Sequence, residues 1–136
     1  MKKKSSAFSL IELLVTVAII GILAAAATVA YGRYTLKANI ANMIQTAASY
    51  QLDVDAYYIR YGNLTNYPLV NDAPANPIIL SIAVDDTGNI TVTGTPAVQN
   101  VVLILRPAAT ANGLQWTNAV ANASMLPLVP ISFQHL

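Results

Sequence analysis

Glu12 is the residue whose position most demands a chemical reason. It sits five residues into an apolar segment that opens at Phe8, and from Leu13 to Gly32 twenty residues carry no charge. A charge near the centre of a bilayer-inserted helix costs about 2.5–3.5 kcal/mol, and somewhat less near its end. A carboxylate in such surroundings needs a partner. The next cation along the chain, Arg33, is 21 residues on, about 30 Å away in a helix rising ~1.5 Å per residue. Before the run stand Lys2, Lys3 and Lys4.

No other groups assemble into a reactive set. His135 is the single histidine and lies one residue from the end, where fraying is the default. Asp85 and Asp86 precede Thr87-Gly88. One short turn supplies too few oxygens for calcium, and turn chemistry accounts for Asp and Gly there without a metal. There is no cysteine, which excludes a disulfide framework and a thiolate metal site. No serine or threonine occupies a nucleophile elbow, and no glycine-rich loop precedes a helix. The Asn-x-Ser/Thr triplets at Asn63, Asn89 and Asn122 are expected by chance in an Asn- and Thr-rich chain. The residues therefore give no catalytic group, no cofactor site and no metal site.

The element that carries Glu12 is a long helix. Twenty uncharged residues make about 30 Å, enough to cross a bilayer core. Beyond it Leu36, Ile40, Met43, Ala47, Tyr50, Val54, Tyr57 and Tyr61 recur at steps of four and three, the stripe of an amphipathic helix. No proline occurs before Pro68, so one helix is expected from about Phe8 to Tyr61, closed by Gly62-Asn63. Gly21 is its weak point: it either eases local unwinding or permits close helix packing. A rival reading makes the start a secretory signal, with Ala24–Ala27 supplying small residues for cleavage. A plain membrane anchor would explain the length but not Glu12.

Residues 63–77 hold three prolines and four asparagines and read as a loop. Ile78–Val84, a turn at Asp85–Gly88, and Asn89–Thr93 read as a hairpin. Asn100–Arg106, stopped by Pro107, and Gly113–Thr117 give two more strands. A four-stranded antiparallel sheet laid on the helix makes one α+β head. Trp116 is read as a strand residue packing into the core, and the tyrosines as spine and surface.

The residues Phe8-Ser9-Leu10-Ile11-Glu12-Leu13, a basic leader and the long apolar helix resemble the type IV pilins and their pseudopilin relatives. The resemblance implies a leader over 1–7, an apolar transmembrane and assembly helix over 8–32, and a soluble head over 33–136. It implies a cut by a prepilin peptidase between Ala7 and Phe8, then N-methylation of Phe8; Ala7 stands where the family usually has Gly. It makes Glu12 an assembly residue and the amine of Phe8 in a neighbouring subunit its natural partner. The partners implied are further copies of the chain, other pilins, the peptidase, an inner-membrane assembly platform, and membrane lipid before assembly. The location implied is the cytoplasmic membrane, single-pass, and then an extracellular pilus serving adhesion, motility or DNA uptake. A pseudopilin of a secretion or competence machine, or a membrane-anchored binding module, are the alternatives. After the cut, four basic and six acidic side chains remain, which gives no electrostatic argument for nucleic acid.

The second half resembles the family too. Residues 111–118 are similar to a pilin pattern ending Trp-Thr-Cys, and residues 130–133 to a closing Pro-x-Ser-Cys. Asn118 and Phe133 stand at the two cysteine positions. Leu126, Leu128, Val129, Ile131 and Phe133 are the expected substitutes for the missing disulfide, packing 118–133 on the sheet.

Overall fold

The computed structural model describes residues 8–122 and 127–129. The chain divides into two compact units at Tyr34/Thr35. Helix α1 spans Leu10–Tyr61, starting two residues later than the sequence suggests because Ser9 caps it. Its carboxyl end is as expected: Gly62 takes a left-handed φ of 71° and its N–H donates to Tyr58 O at 2.8 Å. Only glycine enters that region cheaply, so the helix stops there. Asn63 continues the turn by accepting from the Thr65 N–H at 3.0 Å.

In the second unit five strands follow: β1 (Val70–Asp72), β2 (Ile79–Val84), β3 (Ile90–Gly94), β4 (Val102–Thr110) and β5 (Gly113–Val120), with a 3₁₀ turn at Pro96–Val98. They form one antiparallel meander in sequence order. Leu36, Ile40, Met43, Ala47 and Val54 of α1 are buried with Ile82, Val84, Ile90, Val92, Leu103 and Leu105 of the sheet. Full burial of such aliphatic side chains stabilises by about 1.5–3 kcal/mol each. The helical stripe lies where its spacing puts it, except that Tyr61 is exposed and instead stacks on Tyr57, ring centroids 4.5 Å apart.

Three features depart from the sequence reading. The sheet has five strands, not four, because Val70–Asp72, inside the expected loop, pairs with Val84–Ile82. Three residues are too few to show an alternation. Next, β4 runs through Pro107 to Thr110 rather than stopping before it. Thr110 pairs with Gly113 at the hairpin, so Pro107 faces Trp116 at a position that exchanges no backbone hydrogen bonds with β5. Its nitrogen points to the β3 side, where pairing has ended at Ile90↔Leu105, so the missing N–H costs the ladder nothing. Last, the β2–β3 register shifts between Ile79 and Ser81. The extra residue, Leu80, is thrown out to solvent, and Ile79 and Ile82 both face the core although three apart.

Gly88 closes the β2–β3 turn at φ +80°, and a Cβ there would sit 3.0 Å from Val54 Cγ1 of the helix. Asp85 organises the same turn. It accepts from the Thr87 and Asn89 N–H groups, each at 2.9 Å, from Thr87 Oγ1 at 2.7 Å and from Asn89 Nδ2 at 2.8 Å. Burial pushes the Asp85 carboxyl up, but the hydrogen bonds from Thr87 and Asn89 outweigh it and hold it below the ordinary value. The turn reading of Asp85 is therefore sufficient without a cation.

Candidate functional site

The apolar start of α1 is built so that its one acid is not bare. Ser9 is the N-cap residue: the Glu12 N–H donates to Ser9 Oγ at 3.3 Å. In return Glu12 Oε2 accepts from the Ser9 N–H at 2.9 Å and from Ser9 Oγ at 2.8 Å. This is a reciprocal capping box, which satisfies free amide donors at the helix start. Ser9, three residues away, thus satisfies one carboxylate oxygen of Glu12 within the chain. Ser-x-x-Glu before an apolar run is the sequence signal of such a box, distinct from the ion pair expected of Glu12.

The hydroxyls that follow are satisfied locally as well. Thr16 Oγ1 donates to Glu12 O at 2.6 Å and Thr28 Oγ1 to Ala24 O at 2.8 Å. The helix therefore presents almost no unsatisfied polar group along a segment long and apolar enough to cross a membrane. Phe8 is 79% exposed, and Leu10, Ile22 and Leu23 are similarly open. A Cβ at Gly21 would meet nothing within 4 Å among the described residues. Ala7 lies outside the described residues.

In the second unit the helix has a second face. Opposite the core stripe, Ala38, Ala41, Ala48, Leu52, Ala56 and Ile59 recur at helical spacing with Gln45 as the polar residue among them. Ile59 is 84% exposed and Leu52 69%. Side-chain hydrogen bonds among the described residues tie the helix to the sheet. Trp116 Nε1 donates to Asp55 Oδ1 at 3.1 Å, so Trp116 is a half-buried tie between β5 and α1 as well as a packing residue. The Tyr50 hydroxyl donates to Asp72 Oδ2 at 2.7 Å, tying β1. That bond, with burial and the Asp72 and Asp53 charges behind it, pushes the Tyr50 hydroxyl up to about 12.

At the positions that suggested a lost cysteine pair, Asn118 has a buried Oδ1 without a hydrogen bond among the described residues. Val129 is buried and Leu128 packs half-buried on the core, as expected for the substitutes of a disulfide. Leu126, Ile131, Phe133 and His135 lie outside the described residues. Among the described residues no group of three or more His, Cys, Asp or Glu is placed to hold a metal ion.

The family model for the prokaryotic N-terminal methylation motif matches residues 2–28. Over 122 residues, 84% of this chain and 82% of the relative, the chain is 30% identical to the prepilin peptidase-dependent protein D of Escherichia coli K12. It is 40% identical over 62 residues to the type IV major pilin protein PilE1 of Neisseria gonorrhoeae, covering 46% of this chain and 38% of that one. A fimbrial protein of Neisseria meningitidis serogroup B matches at the same identity and length, over 36% of its own chain. The chain thus spans under two fifths of those longer pilins. The match across both units, the methylation motif, and a long helix packed on an antiparallel sheet together place this chain in the type IV pilin and pseudopilin family.

Proposed function

We propose that this chain is a structural subunit of an extracellular pilus, cut by a prepilin peptidase between Ala7 and Phe8 and assembled through α1. The observation that carries the reading is the exposure of the apolar helix. Residues 8–34 are exposed throughout, and such a surface needs lipid first and neighbouring helices afterwards. Before assembly the segment spans the cytoplasmic membrane; in the filament it packs against copies of itself. Apolar burial is worth about 25 cal/mol per Å² against water, but lipid is as apolar as the helix. Packing and polar pairing must therefore supply the specificity.

Glu12 is the residue placed to do so. The described hydrogen bonds of its carboxylate use Oε2, and the cut at Ala7 gives each subunit an amine at Phe8. Pairing of that amine with the Glu12 carboxylate of a neighbour sets the axial register. Ser9 pre-orients the carboxylate for it, and Gly21 lets neighbouring backbones come close.

N-terminal analysis of surface-exposed protein should begin at Phe8, N-methylated; a start near Ala27 would establish a secretory signal instead. Glu12→Val should be inserted and cut normally yet yield few or no filaments. Normal filament number at normal membrane level would rule out the pairing.

A further inference from the structure

Asn112 stands at the tip of the β4–β5 hairpin, and Gly113 opens β5. We propose that Asn112 is a site of spontaneous modification, where its side-chain amide is exchanged for a carboxylate through an imide formed with Gly113. This chemistry stands whether or not the chain polymerises. The backbone nitrogen of Gly113 bonds to Cγ of Asn112, and the side-chain nitrogen leaves as ammonia, taking the Gly113 amide proton. Water then opens the imide at either carbonyl, leaving aspartate or isoaspartate. The exchange consumes a water, releases an ammonia and needs no enzyme or oxidant.

Chain and fold both single out this position. Of the asparagines, only Asn112 is followed by glycine. A side chain on the following residue hinders the approach of its nitrogen, and glycine has none. The turn requires that glycine, because its φ of +113° is one that L side chains rarely adopt. The space around it is open: Asn112 is exposed, and a Cβ at Gly113 would meet nothing within 4 Å among the described residues. Gly113 is also the last rung of the β4–β5 ladder, so freeing its nitrogen opens only the tip, at far lower cost than a strand interior. Elsewhere the amide or the incoming nitrogen is held. Asn89 Nδ2 donates to Asp85 Oδ2 and to Thr87 Oγ1, each at 2.8 Å. The Tyr67 N–H, next to Asn66, donates to Asp86 O at 3.2 Å, and the Val101 N–H, next to Asn100, to Val98 O at 3.2 Å. Asn76 precedes Pro77, which has no N–H to lose. The product alters the surface. Asn112 lines a hollow of about 270 Å³ with Asp55, Tyr58 and Ile59 of α1, so the new carboxylate arrives beside Asp55 and the head gains negative charge with age.

The test uses the full chain in zwitterionic detergent, held at mildly alkaline pH and body temperature in heavy-oxygen water. Peptide mapping by mass spectrometry should find the exchange at Asn112 at least about tenfold faster than at any other asparagine. Each event should take up a heavy oxygen, and isoaspartate should appear among the products. Isoelectric focusing should resolve a more acidic species. Asn112→Gln, which keeps the turn glycine, should remove it. A synthetic peptide of residues 108–118 serves as the unfolded reference, and the folded chain should convert within about tenfold of its rate, as expected of a readily opened tip. The proposal is overturned if Asn112 of the chain stays intact while the peptide converts, since the hairpin then protects it. It is equally overturned if another asparagine converts as fast, or if Asn112→Gln yields the same acidic species.

Discussion

Single side chains in this protein tie a helix to a sheet, and their chemistry can be read in solution. The Tyr50 hydroxyl is held protonated up to about 12 by Asp72, whereas in the unfolded chain it titrates near about 10. A folded-state value raised above the unfolded one means stability that is intact below pH ~10 and lost as pH climbs toward about 12. Tyr67 is pushed up as well, by burial and by the Asp53 and Tyr57 neighbours, and its contribution has the same sign. Urea midpoints between pH 8 and pH 11 should therefore fall for the parent and fall less for Tyr50→Phe. At the acid end the sign reverses for Asp85, whose depressed value makes it a stabiliser that fades as pH drops below the ordinary carboxylate range. Trp116→Phe removes the donor to Asp55. A hydrogen bond to a charged group contributes about 1.5–3 kcal/mol, so the variant's urea midpoint should drop by that equivalent, with an unchanged slope.

At the scale of elements, the spacing of apolar residues told much and the sheet edges told little. Leu36, Ile40, Met43, Ala47 and Val54 announce their face by period alone, because a helix has one dominant way to bury such a stripe. By contrast β1 exists because Val84 and Ile82 lie alongside it, and Pro107 fits within β4 because β3 has ended beside it. Both depend on neighbours that no local pattern encodes. The Ser9–Glu12 box is legible in the Ser-x-x-Glu spacing ahead of the apolar run. Gly88 allows a direct test of element packing. Gly88→Ala must bear a positive φ and crowd Val54, which should destabilise by about 1–3 kcal/mol, read as a lowered urea midpoint. The outer helix face gives the opposite expectation. Leu52→Asp with Ile59→Asp touches no core residue, so the urea midpoint should stay within about 0.5 kcal/mol of the parent. If that face packs in the filament, filament yield should collapse.

For the molecule as a whole, no disulfide contributes to stability, since the chain has no cysteine; reductant should leave its melting temperature unmoved. The capping box adds a consequence about timing. Helix α1 is closed at its start by Ser9 and Glu12, both of which lie after the proposed cut at Ala7. The signal that begins the helix therefore belongs to the mature chain and not to the leader. Precursor and product should give the same helical circular dichroism over the described residues, and peptidase-inhibited cells should accumulate a fully folded precursor. The proposed maturation would then resemble the release of a safety catch on a finished part: it would alter the charge at one end and leave the capped start of helix α1 alone.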